Sequence, residues 1–179
     1  MTAAASMADE VGLPNLTLAA LARALGVRQP SLYKHIEGLP ALRRAISLRA
    51  KSELAGELSR AAVGRARGDA VRSLAAAHRS WALRHPGRYE ALVRAPDPTD
   101  LEDVAASQQV VAVVVDVLAG FGLAGPQAIH ATRALRAGLH GFVSLEAAGG
   151  FGLPIDVEES FTYLVDGYVR SLTSQGEQA

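Results

Sequence analysis

The chain has 179 residues, no cysteine, and equal numbers of basic and acidic side chains, 18 of each. That length supports one well-buried helical core with a small appended unit, and the missing cysteines exclude a disulfide scaffold or a Cys-based zinc site and fit a reducing interior. No Lys or Arg precedes an apolar run after Met1, and no apolar stretch reaches bilayer length, so the expectation is a cytoplasmic protein with no membrane partner.

In chain order, residues 2–11 (TAAASMADEV) read as a short first helix that ends near Gly12 and Pro14. Residues 16–36, LTLAALARALGVRQPSLYKHI, then join two short helical patterns through a tight turn. Thr17 has the chemistry of an N-cap, and Leu18, Leu21, Ala22 and Leu25 recur at the spacing of one helical face. Gly26 supplies the positive φ that a sharp helix-to-helix turn needs, and Val27 is expected to drop back into the core. Pro30 opens the second helix, where a missing N–H loses no hydrogen bond, with Leu32 and Ile36 facing inward. Arg28, Gln29, Ser31, Lys34 and His35 are left outside. That face holds hydrogen-bond donors and no carboxylate, which suits a groove walled by phosphates.

Glu37 and Gly38 turn the chain into a long helix over residues 39–62. Its early apolar positions Leu39, Leu42, Ala45 and Ile46 can pack on the segment before it, while Leu48, Leu54 and Leu58 continue toward the body of the chain. Residues 1–51 hold seven Lys/Arg against three acids, a surplus of four positive charges that the rest of the chain must offset. A basic first third on an acidic body is the pattern of a DNA-reading head carried by a domain that repels DNA; a solvated helical surface would read the same way.

After a glycine-bearing loop at 63–68, a helix over 69–85 sets Val71, Leu74, His78, Trp81 and His85 on one face, and Pro86-Gly87 stops it. His78 and Trp81 read as the wall of a ligand pocket or, equally, as core residues with the imidazole satisfied by a backbone carbonyl. His85 reads as a capping or surface residue. A short piece with Tyr89 and Leu92 precedes the turn-rich APDPTD. The helix over 100–120 is apolar on several faces and is expected to be buried nearly all round, a central post interrupted by Gln108, either a pocket group or an amide bonded to a neighbouring loop. Over 126–148 a small-residue row, Ala134, Gly138, Gly141, Leu145 and Ala148, implies the close approach of another helix. A last helix over 157–174 carries Phe161, Leu164, Val165, Tyr168 and Leu172 on one face.

The run GVRQPSLYKHIEGLPALRRAI resembles the recognition helix and following helix of the TetR, or tetracycline-repressor, family of bacterial regulators. The Gln-Pro-Ser-Leu-Tyr-x-His core is its most specific part. The run HGFVSLEAAGGFGLPIDVEESFTYLVDGYV is similar to the C-terminal domain of a TetR branch named for a Trp-His-Gly motif, read here as Leu139-His140-Gly141. The resemblance implies an all-α fold: a three-helix helix-turn-helix DNA-binding domain over 1–48 and a helical ligand-binding and dimerisation domain over 49–179. It implies a ligand-responsive repressor that binds a near-palindromic double-stranded operator as a homodimer and is released by a small-molecule effector, with no cofactor or metal.

By position, the resemblance assigns Arg28, Gln29, Pro30, Ser31 and Lys34 to base edges, and Thr17, Tyr33 and His35 to backbone phosphates. The pocket candidates are His78, Trp81, Tyr89 and Gln108. The dimerisation candidates are Ala134, Gly138, Gly141, Leu145, Phe161, Leu164 and Tyr168. Two features depart from the family. The first helix is short and lacks a basic lead-in, so the chain either forgoes some phosphate contacts or begins late. Leu39 stands where many relatives have a phosphate-holding lysine, so the chain either binds DNA more weakly or uses Arg43 or Arg44 instead. That departure is also the argument for the rival reading, a helical adaptor that has lost specific DNA binding. An enzyme built on His78, His130 or His140 lacks any accompanying HExxH, carboxylate cluster or phosphate loop.

Overall fold

The computed structural model describes residues 1–176, with side chains through Ser174. Every regular element among these residues is helical: α1 (Thr2–Val11), α2 (Leu18–Ala24), α3 (Gln29–Leu32), α4 (Leu39–Ala62), α5 (Arg67–Arg84), α6 (Pro86–Leu92), α7 (Leu101–Ala119), α8 (Gly125–Ala147) and α9 (Val157–Gly176), with one 3-10 turn at Leu13–Asn15. The all-α expectation holds. Among the described residues, no helix is long and apolar enough to cross a membrane.

The chain divides into two compact units that are discontinuous in sequence. One combines Met1–Glu53 with Arg84–Gln108; the other combines Leu54–Leu83 with the chain from Gln109 onward. This grouping differs from a single division after residue 48, because α6 returns to pack on α1. A proline stops α5 as expected, but Pro86 and Gly87 also open α6, in whose first turn the missing proline N–H is harmless. The approach of the two helices is close enough to dictate glycine. A Cβ on Gly87 would lie 1.9 Å from the Ala8 carbonyl oxygen and 2.8 Å from the Asp9 nitrogen.

In the first unit, Ala8, Leu16, Leu21, Leu32, Leu42 and Ile46 form a buried cluster against which Ile36 and Leu39 pack. In the second, α8 turns Ala131, Leu135, Leu139 and Val143 inward while α9 buries Phe161, Val165 and Leu172. The Tyr168 hydroxyl donates to the Ala131 carbonyl at 2.6 Å and joins these two helices; burial pushes that phenol up to about 12. Arg79 of α5 holds both ends of the connection between them, donating to Glu146 at 2.7 and 2.8 Å and to Glu158 at 2.5 Å. Its guanidinium also lies 4.6 Å from the centroid of the Phe161 ring.

The expectation of an α7 buried all round is not met. Only Val114 and Leu118 are buried within it, Leu101 is 77% exposed and Val111 is also exposed. Aliphatic residues on several faces permit burial; they do not supply neighbours to cover every face. Gln108 is exposed, so the cost assigned to a buried amide does not arise.

Candidate nucleic-acid interface

The geometry of the interface starts at Thr17, whose Oγ1 accepts a hydrogen bond from the Ala20 N–H at 3.1 Å and so caps α2. At the other end of α2, Gly26 has φ +67°, and two backbone bonds close the helix: the Gly26 N–H to the Arg23 carbonyl at 3.1 Å and the Val27 N–H to the Ala22 carbonyl at 3.0 Å. These are the paired bonds of a Schellman closure. They correct the expectation for Val27: its backbone N–H, not its side chain, turns back, and the side chain is 44% exposed. Leu25, placed on the inner face by its spacing, is exposed at the same turn.

Arg28 is the N-cap of α3 in extended backbone geometry, followed by Gln29 and Pro30 in the first turn. The α-helix lasts only through Leu32. A tighter turn follows, in which the Leu32 carbonyl accepts from the N–H groups of both His35 and Ile36, at 2.9 and 3.0 Å. This anchors the short element by its buried Leu32, and Arg28, Gln29, Pro30, Ser31, Tyr33, Lys34 and His35 all stand exposed around it. Among the described residues, no ion pair involves Arg28 or Lys34, so their charges face solvent.

The cations of α4 are arranged differently. Arg43 donates from one Nη to the carbonyls of Leu13 and Pro14, both at 3.2 Å, and thereby ties α4 to the turn before Thr17. Arg44 forks onto Asp100 at 2.5 and 2.7 Å and reaches Glu102 at 2.8 Å. Arg49 pairs with Glu53 at 2.6 Å, and the buried Lys51 with Asp103 at 2.5 Å. Neither Arg43 nor Arg44 is therefore available as it stands to replace the lysine absent at Leu39.

A half-buried charge network that sequence reasoning missed joins α1, α4 and α6. Arg88 donates its backbone N–H and its Nε to the two oxygens of Asp9, at 2.9 and 2.7 Å, and an Nη to Glu53 at 2.5 Å. Burial works against charge here, raising the Glu53 carboxyl and lowering the guanidinium. The hydrogen bonds win, leaving Glu53 below and Arg88 above their ordinary values. His85, expected at a cap or the surface, is half-buried beside this network, with Nδ1 2.8 Å from an Arg88 Nη and 3.4 Å from Asp9. Partners 79 positions apart leave no local pattern to read.

The pocket candidates fall in both units. His78 and Trp81 are buried in the second; Tyr89 is buried and Gln108 exposed in the first. Burial, with smaller contributions from His140 and Arg136, pushes the His78 imidazole down to about 4, so it is neutral at physiological pH. Of the dimerisation candidates, Ala134 and Leu145 are exposed, and a Cβ on Gly141 would meet nothing within 4 Å. Gly138 faces Leu164, 3.7 Å from where its Cβ would be, so that pair and Tyr168 make contacts inside the chain. Phe161 is only 4% exposed and packs against Phe142 within its own unit, which takes it out of any outer face.

Residues 71–168 match the family described as tetracyclin repressor-like, C-terminal domain. The chain is 44% identical over 158 residues to the uncharacterized HTH-type transcriptional regulator Rv0681 of Mycobacterium tuberculosis, covering 88% of this chain and 72% of that protein. It is 37% identical over 171 residues to the uncharacterized HTH-type transcriptional regulator YobS of Bacillus subtilis, covering 95% and 88%. Among solved structures, it is similar to a protein of unknown function from Rhodococcus sp. RHA1, with TM-score 0.80 and 26% identity over 96% of this chain and 92% of that one. A TetR variant from Acinetobacter baumannii AYE, solved in complex with minocycline, shares the fold at TM-score 0.72 and 21% identity over 97% and 94%. The chain belongs to the TetR family of helix-turn-helix transcriptional regulators and is not an enzyme.

Proposed function

We propose that this regulator is a repressor that binds a near-palindromic operator as a homodimer and is released by a small-molecule effector. The observation that carries the DNA reading is the donor array around α3: Arg28, Gln29, Ser31 and Lys34 exposed on an element anchored from below by Leu32. In this reading the domain over 1–48 is the DNA-binding head, and α3 enters the major groove. Arg28, Gln29, Ser31 and Lys34 meet base edges, Pro30 meets a thymine methyl, and Tyr33 and His35 meet phosphates. Thr17 serves twice, since a hydroxyl that accepts from Ala20 still has its own proton to donate to a phosphate. Enrichment of genomic fragments by the purified protein tests this. It should recover an inverted repeat with half-sites about 34–36 Å or more apart; fragments without a shared repeat would support the adaptor reading, which Leu39, packed into the head core instead of holding a phosphate, favours.

Dimerisation over 49–179 is assigned to the outer faces of α8 and α9, where Ala134, Gly141 and Leu145 leave an open small-residue row and Tyr163 is 77% exposed. A small row of this kind lets a second helix come close. The run over residues 140–169 supports placing the chain in the Trp-His-Gly branch, with Leu139 a departure from the Trp of that motif. His78 and Trp81 are assigned to the effector site, a flat apolar surface beside a neutral imidazole that accepts or donates a hydrogen bond without charge. α4, one helix that contributes to both compact units, carries the response to the head. An effector must prefer the DNA-incompetent state to act at all. In a screen of small apolar compounds, any that releases DNA should also change Trp81 fluorescence; release with an unchanged Trp81 signal places the effector elsewhere.

A further inference from the structure

The four cations at positions 43, 44, 49 and 51 are all engaged inside the first unit, but not equivalently. Arg43 is tied to main-chain carbonyls, Arg49 to Glu53 within its own helix, and Lys51 is buried with Asp103. Arg44 alone combines a largely exposed side chain, 43% accessible, with a partner that is itself open to water: Glu102 is 69% accessible. Its fork-to-fork contact with Asp100 is the geometry in which guanidinium also binds phosphate. Arg44 lies in the second turn of α4, the helix that follows the α3 array directly in the chain, and Leu39 leaves the first turn without a cation.

We propose that Arg44 is a further phosphate-binding residue, held off DNA by Asp100 and Glu102, whose carboxylates occupy the fork that a backbone phosphate would take. The inference rests on the DNA-binding reading above. It makes the segment before α7 a built-in competitor of the nucleic acid. The competition is set where exchange is feasible: Arg44 and Glu102 are exposed enough for phosphate to displace the acids, and each carboxylate repels the same phosphate until then. The Asp100 carboxyl, held down to about 2 chiefly by Arg44 and then by the Asp103 N–H, stays ionised throughout the physiological range, so the competitor is always present.

A double-mutant cycle tests this with a short fluorescein-labelled duplex of mixed sequence, whose binding reports phosphate contacts. In Asp100→Asn/Glu102→Gln both charges go, while asparagine can still accept the Asp103 N–H bond that Asp100 makes at 3.1 Å. This variant should bind more tightly than the parent, and its advantage should grow about threefold per protomer as salt falls from about 200 to about 50 mM, the mark of one added phosphate contact. Arg44→Ala alone should change affinity little, and in that background the gain should vanish. Glu102→Gln alone, at an exposed position, should move affinity the same way by less. A gain that survives Arg44→Ala would mean general charge removal and overturn the proposal, as would equal or weaker binding by both acid variants. If the parent and every variant fail to bind the duplex, the DNA reading itself falls and this inference with it.

Discussion

Gly87→Ala will destabilise the protein by about 3 kcal/mol or more, at the upper end of what overpacking costs, because the atoms in the way are main chain. The added Cβ would lie 1.9 Å from the Ala8 oxygen and 2.2 Å from its carbonyl carbon. A side chain could rotate away from such a clash; a backbone carbonyl inside α1 can retreat only if one helix moves. Movement is resisted because Asp9, the next residue, is gripped by both the backbone N–H and the Nε of Arg88. Alanine's better helix propensity returns at most about 1 kcal/mol and does not offset this. For a chain of this size the loss corresponds to a fall in Tm of about 6–12 °C. Thermal and urea unfolding of the parent and variant would measure it, and a loss below about 1 kcal/mol would mean that α6 does not pack on α1 as described.

What the sequence made legible was local. The Thr17 cap, the Gly26 turn and the bounds of α4 depend on interactions within a few residues, and each matches its sequence reading. The exposure of the α3 donor array was equally readable, since a polar face opposite Leu32 has nowhere to go but solvent. Leu25 and Val27 depart from their expected burial because helical periodicity does not extend into a turn where the backbone has already changed direction. For α7, apolar composition is a poor guide to burial, because composition does not say how many neighbours a helix will have. The Arg88 network and the intramolecular capture of Arg44 were invisible for a different reason: partners 35, 56 and 79 positions apart have no periodic signature. Counting the basic residues of the first third correctly finds a charge surplus, yet four of its seven cations are already matched internally. The surplus available to DNA is therefore concentrated on α3 and the end of α2.

That concentration makes Arg28 the side chain whose loss should weaken specific binding most. It stands exposed at the N-cap of α3, where its long side chain can reach beyond the helix while its backbone is fixed by the Ser31 N–H bonding to the Arg28 carbonyl at 2.9 Å. Paired with guanine through two hydrogen bonds, an arginine in this position contributes about 1–3 kcal/mol of discrimination, and a homodimer presents it twice. Arg28→Ala should therefore weaken operator binding on the order of a hundredfold or more, while binding to unrelated duplex, carried by phosphate contacts, falls far less. Helix content should be unaffected, since Arg28 makes no side-chain cap. The direct measurement is a fluorescence-anisotropy titration of parent and Arg28→Ala on the enriched inverted-repeat duplex and on a scrambled one, at matched salt. A parent that prefers the repeat and a variant that has lost most of that preference is the predicted result; equal affinity of the two proteins for the repeat would contradict the assignment of α3 as the element that reads DNA.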